Sequence, residues 1–145
     1  MLEVEPRDLV GRTLTGATAG WFVMDAANVR DLVHVWIRVD GFGSMRCHTL
    51  SGIRLYRSSP HAHYEVPEFG AKVNIEDMAP EPLAGLVGHE IVRVTPLTCR
   101  AHGAEAGFVL ETTGGSVVIA EVGDGLLIGD WADGRRWAEL GLDPA

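Results

Sequence analysis

The chain repeats itself, and that repetition constrains its fold more than any other feature. Leu9-Val10-Gly11-Arg12-Thr13-Leu14-Thr15-Gly16-Ala17 is echoed by Leu86-Val87-Gly88-His89-Glu90-Ile91-Val92-Arg93-Val94 at an offset of 77 residues. Further on, Val35 to Gly41 lies over Phe108 to Gly114, and Gly52-Ile53-Arg54-Leu55 over Gly125-Leu126-Leu127-Ile128, both at an offset of 73. The drop from 77 to 73 places four extra residues in the first connection of the first copy, between Thr18 and Val33. Two related units, 9–56 and 86–129, predict one structural solution used twice within a single domain spanning 1–145. The segment between them, 58–82, carries Pro60, Pro67, Pro80 and Pro82. Proline cannot donate to a strand ladder, so this connector is expected to be irregular and to supply at most one edge strand, Ala71 to Ile75.

Period-two alternation identifies the units as β structure. Val33, Val35, Ile37 and Val39 fall on one face of an extended segment and His34, Trp36 and Arg38 on the other, whereas a helix would scatter them. Asp40-Gly41-Phe42-Gly43-Ser44 then supplies the glycines of a reversal. In the second unit, Phe108 to Thr112 and Val117 to Val122 flank Thr113-Gly114-Gly115-Ser116, and Leu126-Leu127-Ile128 closes the meander. The fold class expected is mainly β: two duplicated antiparallel meanders, each with a short opening strand, forming a sandwich or a barrel-like domain. Helix is expected only at Ala26 to Leu32, capped by Asp25, and at Trp131 to Leu140, with Asp130 or Asp133 as cap and Gly141 as terminator.

Composition narrows the function classes. With 12 basic and 20 acidic side chains the chain carries −8, an unfavourable balance for binding a phosphate backbone and a favourable one for attracting basic partners. Residues 81–145 hold 4 basic and 10 acidic side chains, so the acidity is concentrated in the second half. No run approaches the ~18–20 apolar residues of a membrane span, and Met1-Leu2-Glu3-Val4-Glu5-Pro6 has no signal-peptide character, so a cytoplasmic location is expected. Cys47 and Cys99 stand alone without C-x-x-C spacing and read as free thiols.

Catalytic signatures are missing: Gly41-Phe42-Gly43-Ser44-Met45-Arg46 lacks the third glycine of a dinucleotide fingerprint, and there is no nucleophile elbow, Walker loop or H-E-x-x-H. No catalytic residue and no cofactor is assigned. His61, His63 and Glu68 have a spacing that resembles the first metal motif of cupins, but Pro60 and Pro67 interrupt the strand it needs, and only His89 or His102 could supply a later histidine. A metal held by these three is the minor alternative to a solvated loop.

A face carries more information than any motif. Alternation over Val33–Val39, Met45–Leu50 and Ile53–Tyr56 sends Val35, Ile37, Val39, Met45, Cys47, Ile53 and Leu55 inward. It gathers His34, Trp36, Arg38, Arg46, His48, Arg54 and Tyr56 outside, residue types in which binding energy concentrates. On this reading, alanine at Trp36 and Arg38 removes binding and leaves the fold intact. The corresponding positions of the second unit, Val109, Glu111, Val118, Ala120 and Leu127, are mostly apolar, and predict a second buried face covered by a helix or by the partner subunit of a homodimer. An acidic rim at Glu121, Asp124, Asp130 and Asp133 is a second candidate surface.

The doubled L-V-G-x-x-[LI] element, the G-F-V-L-E-T-T-G-G-S-V-V-I meander and the G-D-G-L-L-I closure resemble small bacterial β proteins, some of them immunity proteins of polymorphic toxin systems. The resemblance implies a non-enzymatic protein-binding role, blocking a basic toxin domain by occlusion. The alternative is a small-molecule or metal-binding barrel in which the arginines surround an anionic ligand; burying three guanidiniums otherwise is too costly.

Overall fold

The computed structural model describes residues 2–144 apart from 50–52, 102, 124 and 133. Two antiparallel sheets pack face to face as an open sandwich. The first has seven strands in the order β1-β5-β4-β3-β2-β7-β6: β1 (Glu3–Val4), β2 (Leu14–Met24), β3 (Val29–Val39), β4 (Gly43–Thr49), β5 (Ile53–Arg57), β6 (Tyr64–Val66) and β7 (Ala71–Glu76). The second has five, in the order β11-β10-β9-β8-β12: β8 (Ile91–Cys99), β9 (Glu105–Thr112), β10 (Gly115–Val122), β11 (Gly125–Gly129) and β12 (Leu142–Pro144). One α-helix, α1 (Gly134–Glu139), lies between β11 and β12. No helix among the described residues is long and apolar enough to cross a membrane.

The two echoed segments meet each other. In each, a 3₁₀ turn ends on a buried leucine, Leu9 or Leu86, and a glycine with positive φ, Gly11 at +88° or Gly88 at +95°, releases the chain into the following strand. Gly11 N–H donates to the Ile91 carbonyl at 2.8 Å and Gly88 N–H to that of Leu14 at 2.7 Å. Leu14 N–H donates to the His89 carbonyl at 3.0 Å and Ile91 N–H to that of Arg12 at 2.8 Å, around an antiparallel bridge between Thr13 and Glu90. Shifting either member of each pair by 77 residues returns the other, so the four bonds obey a local two-fold axis. The correspondence continues outward. The β2–β3 ladder bulges between Leu14 and Gly16 and between Gly20 and Trp21, and the β8–β9 ladder bulges at the equivalent Ile91/Arg93 and Leu97/Thr98.

Alternation explains the core between the sheets. Val35, Ile37, Val39, Met45, Cys47, Ile53 and Leu55 are all buried, facing Phe108, Leu110, Val117 and Ile119 from the other sheet. Burial pushes the Cys47 thiol up to about 12, while Cys99 is half-buried; both are free. A second apolar cluster covers the far side of the five-stranded sheet. There Val109, Val118 and Ala120 pack with Leu97, Leu142 and Trp137. The cover is therefore supplied by this chain's own helix α1. The Trp137 indole N–H donates to the Asp130 carbonyl at 2.8 Å, and Gly129 is needed because a Cβ there would overlap the ring.

Three local expectations are corrected. Ala26 to Leu32 is not a helix: a 3₁₀ turn over Asp25–Ala27 leads through left-handed Asn28 directly into β3. The four extra residues lengthen the β2–β3 hairpin, where Met24 pairs with Val29, and pairing with a neighbouring strand outweighs isolated helix propensity. The opening strands, moreover, are long, 11 residues in β2 and 9 in β8. The connector contributes two strands, with β7 hydrogen-bonded between β2 and the edge strand β6. Its prolines lie just outside the ladders, Pro67 ending β6.

A Cβ added at Gly11 or Gly88 would meet open space, so Gly11→Ala and Gly88→Ala incur only the backbone penalty of a positive φ. Each is expected to lower the unfolding free energy by roughly 1–2 kcal/mol, and by similar amounts, in urea titrations.

Candidate functional site

The sheet order dictates what covers the outer face of the seven-stranded sheet. Strands β5 and β6 lie on opposite sides of β3, so the chain leaving β5 must cross the sheet to reach β6. It crosses as a strap, residues 58–63. Ser58 N–H donates to the Ser44 carbonyl of β4 at 3.1 Å, and the His61 ring stands edge-on to both Trp36 and His34, at centroid distances of 5.1 and 4.9 Å.

The strap changes the standing of the predicted face. All seven residues do alternate away from the core, but Trp36 is only 1% exposed. It is therefore part of the packing, not a contact available to a partner. His34, Arg46, His48 and Tyr56 are half-buried, with Tyr56 edge-on to His48 at 5.6 Å. Arg54 is exposed and forms an ion pair with Glu3 at 2.9 Å. Arg38 is exposed and has no ion pair among the described residues. Pleating alone could not reveal this covering, since the strap comes from a segment that sequence periodicity leaves unread.

Under the strap is a polar network. Arg46 Nη2 donates to His34 Nδ1 at 3.0 Å, and because guanidinium has no acceptor, Nδ1 is unprotonated. The Nε2–H tautomer follows, donating to Tyr64 Oη at 3.1 Å. Burial, then the Arg46 and His61 charges, hold His34 down to about 4, against an ordinary 6.5. Gly20, opposite His34, leaves the room the ring occupies; a Cβ there would come within 2.9 Å of it. The Trp36 indole N–H, Arg46 Nε–H and His48 Nδ1 are buried without hydrogen-bond partners among the described residues. Each such group carries about 1–3 kcal/mol of unrecovered desolvation.

Beside the strap, between the outer face and the segment after β7, lies a hollow of about 530 Å³. Its lining includes Trp36, Arg38, Thr18 and Ser44 from the sheet, with Asp77 and Met78 opposite.

The metal candidates do not converge. His63 Nδ1 accepts the Ile75 N–H at 2.8 Å, His61 is packed on Trp36, and Glu68 sits in the turn after β6. No group of three or more metal-ligating side chains occurs among the described residues. Of the acidic rim, Asp124 and Asp133 lie outside the described residues. Asp130 is exposed, but its Oδ1 accepts the Ala132 N–H at 2.9 Å and its carbonyl holds Trp137, so it serves the approach to α1. Glu121 is half-buried on β10.

Sequence reasoning missed the β6–β7 hairpin. Tyr64 is 43% exposed, Phe69 63% and Met78 70%, and the exposed carboxylates Glu65, Glu68 and Asp77 alternate with them along the chain. Among the aromatic pairs of the described residues, Phe69 meets only the edge of Phe22, at 6.4 Å between ring centroids. The signal was the run Tyr64-Glu65-Val66-Pro67-Glu68-Phe69, in which aromatic and acidic residues interleave.

Two outcomes are expected. Trp36→Ala lowers stability by about 3–5 kcal/mol in denaturant titration, as for a buried tryptophan, where an exposed one would cost little. His34 binds its proton more readily unfolded than folded, so its contribution is complete above pH 6.5 and is lost as the pH falls toward 4. With the ring half exposed and solvent screening its neighbours, the loss is roughly 1–2 kcal/mol. The variant His34→Asn, which keeps an acceptor for Arg46 but cannot titrate, is expected to flatten this part of the pH–stability curve.

Compared with known proteins, the chain matches no family model, no curated protein and no solved structure.

Proposed function

We propose that this protein is a non-enzymatic binding module that blocks a basic protein partner, in the manner of an immunity protein, through the β6–β7 hairpin. The observation that carries this reading is the exposure of Tyr64 and Phe69 on one hairpin edged by Glu65 and Glu68, with Asp77 and Met78 exposed just beyond its second strand. Exposed aromatics supply contact area at low entropic cost, and the carboxylates between them select a cationic counterpart. The net charge of −8 adds long-range attraction to a basic partner. Strand β6 is also the free edge of its sheet, with backbone groups open to pairing with an incoming strand. The predicted Trp36 face is replaced as docking surface because its central aromatic is buried.

Growth rescue tests the proposal. A basic toxin domain encoded beside this chain is expected to arrest growth when expressed alone and to be neutralised by co-expression of the chain. The double variant Glu65→Lys/Glu68→Lys, at exposed positions, should abolish rescue and weaken the purified complex at least about tenfold, with an unchanged melting temperature. Full rescue by that variant, or a complex insensitive to ionic strength, overturns the assignment.

A further inference from the structure

The duplicated halves can be compared position by position, and they differ at one pair facing the hollow. In the second half, Arg93 on β8 stands opposite Glu111 on β9, and the two form an ion pair at 3.6 Å. The equivalent pair in the first half is Gly16 and Arg38. Glycine has removed the side chain that would fill the space beside residue 38, and a cation stands where the other half has a neutralised carboxylate. The Arg38 side chain leans over the vacated position, its Nη1 3.9 Å from where a Gly16 Cβ would be. Thr18 and Ser44 have hydroxyl counterparts in the second half, Thr95 and Ser116, so the polar surroundings are retained while the ion pair is lost. The floor has changed as well, from Val109 to Trp36, whose buried indole N–H has no acceptor among the described residues.

From this difference we propose that the hollow is a binding site for a small organic monocarboxylate with an apolar body. Arg38 supplies a fork of donors that matches a carboxylate, and the Thr18 and Ser44 hydroxyls line the same space. Met78 and Val87, both exposed, offer apolar surface for the rest of the molecule over the buried Trp36, and about 530 Å³ accommodates a ligand of one ring or a short chain. Asp77, in the same lining, repels a multiply charged anion such as phosphate more strongly than a singly charged carboxylate. The site lies on the sheet and does not depend on a protein partner at the hairpin.

Benzoate, benzamide and inorganic phosphate are the probes, titrated into the full chain and followed by the Trp36 indole and Gly16 amide signals in an assigned ¹⁵N–¹H spectrum. Benzoate is expected to shift both saturably, with benzamide and phosphate at least about tenfold weaker. Arg38→Gln, an exposed substitution that leaves the core untouched, should weaken benzoate about tenfold, and Arg38→Lys should recover only part of the loss. Absence of a saturable shift, equal binding of benzamide or phosphate, or undiminished benzoate binding by Arg38→Gln each overturns the proposal. None of these readouts involves Glu65 or Glu68, the carboxylates changed in the growth-rescue variant, so failure here and failure of growth rescue are separate results.

Discussion

Four reciprocal backbone hydrogen bonds around the Thr13–Glu90 bridge hold the two halves of this protein in register, and the sandwich is organised about them. Each half ends its 3₁₀ turn on a buried leucine and passes through a glycine in the left-handed region before its strand begins, so each presents matching donors and acceptors to the other at the same heights. The backbone groups that a chain entering a sheet would leave unpaired are thereby satisfied twice over by one arrangement. The paired bulges then turn both opening strands in the same way, which places the inward faces of the two meanders against each other.

Equivalent halves present equivalent outer faces, and the chain covers them differently. The outer face of the five-stranded sheet is mostly apolar, and α1 covers its Val109, Val118 and Ala120 through Trp137. That of the seven-stranded sheet carries His34, Trp36 and Arg46, and is crossed by the strap because the connector has to pass from β5 to β6. One cover buries hydrocarbon; the other buries a mixed network in which a neutral imidazole accepts from a guanidinium and donates to a phenol. Such a network resists protonation because a second positive charge beside Arg46 would be poorly solvated.

The strap also sorts the molecule's surfaces. Taking Trp36 out of contact with solvent shifts the exposed aromatic surface to the hairpin that the strap leads into, where acidic residues accompany it. It leaves open, on its other side, the hollow in which Arg38 lacks the ion-pair neighbour its counterpart position possesses. The two candidate surfaces thus have different chemistry, an acidic aromatic edge and a cationic recess, at neighbouring parts of one sheet.

The inward and outward assignment of every side chain from His34 to Val39, and of Met45, Cys47, Ile53 and Leu55, was legible in the sequence because a strand's side chains alternate until a bulge intervenes; at the Gly20/Trp21 bulge the alternation breaks, and Leu32, not Val33, packs against the core. The need for a cover over Val109, Val118 and Ala120 was legible for the same reason, since apolar side chains on an outward face must be removed from water. What lay beyond the sequence was the identity of each cover. Periodicity describes one segment at a time, whereas the burial of Trp36 by His61, the pairing of His63 with Ile75 and the isolation of Arg38 beside Gly16 arise where segments distant in the chain cross. Local pattern determined which way each side chain points; only the path of the connector across the sheet decided which of them still meets solvent.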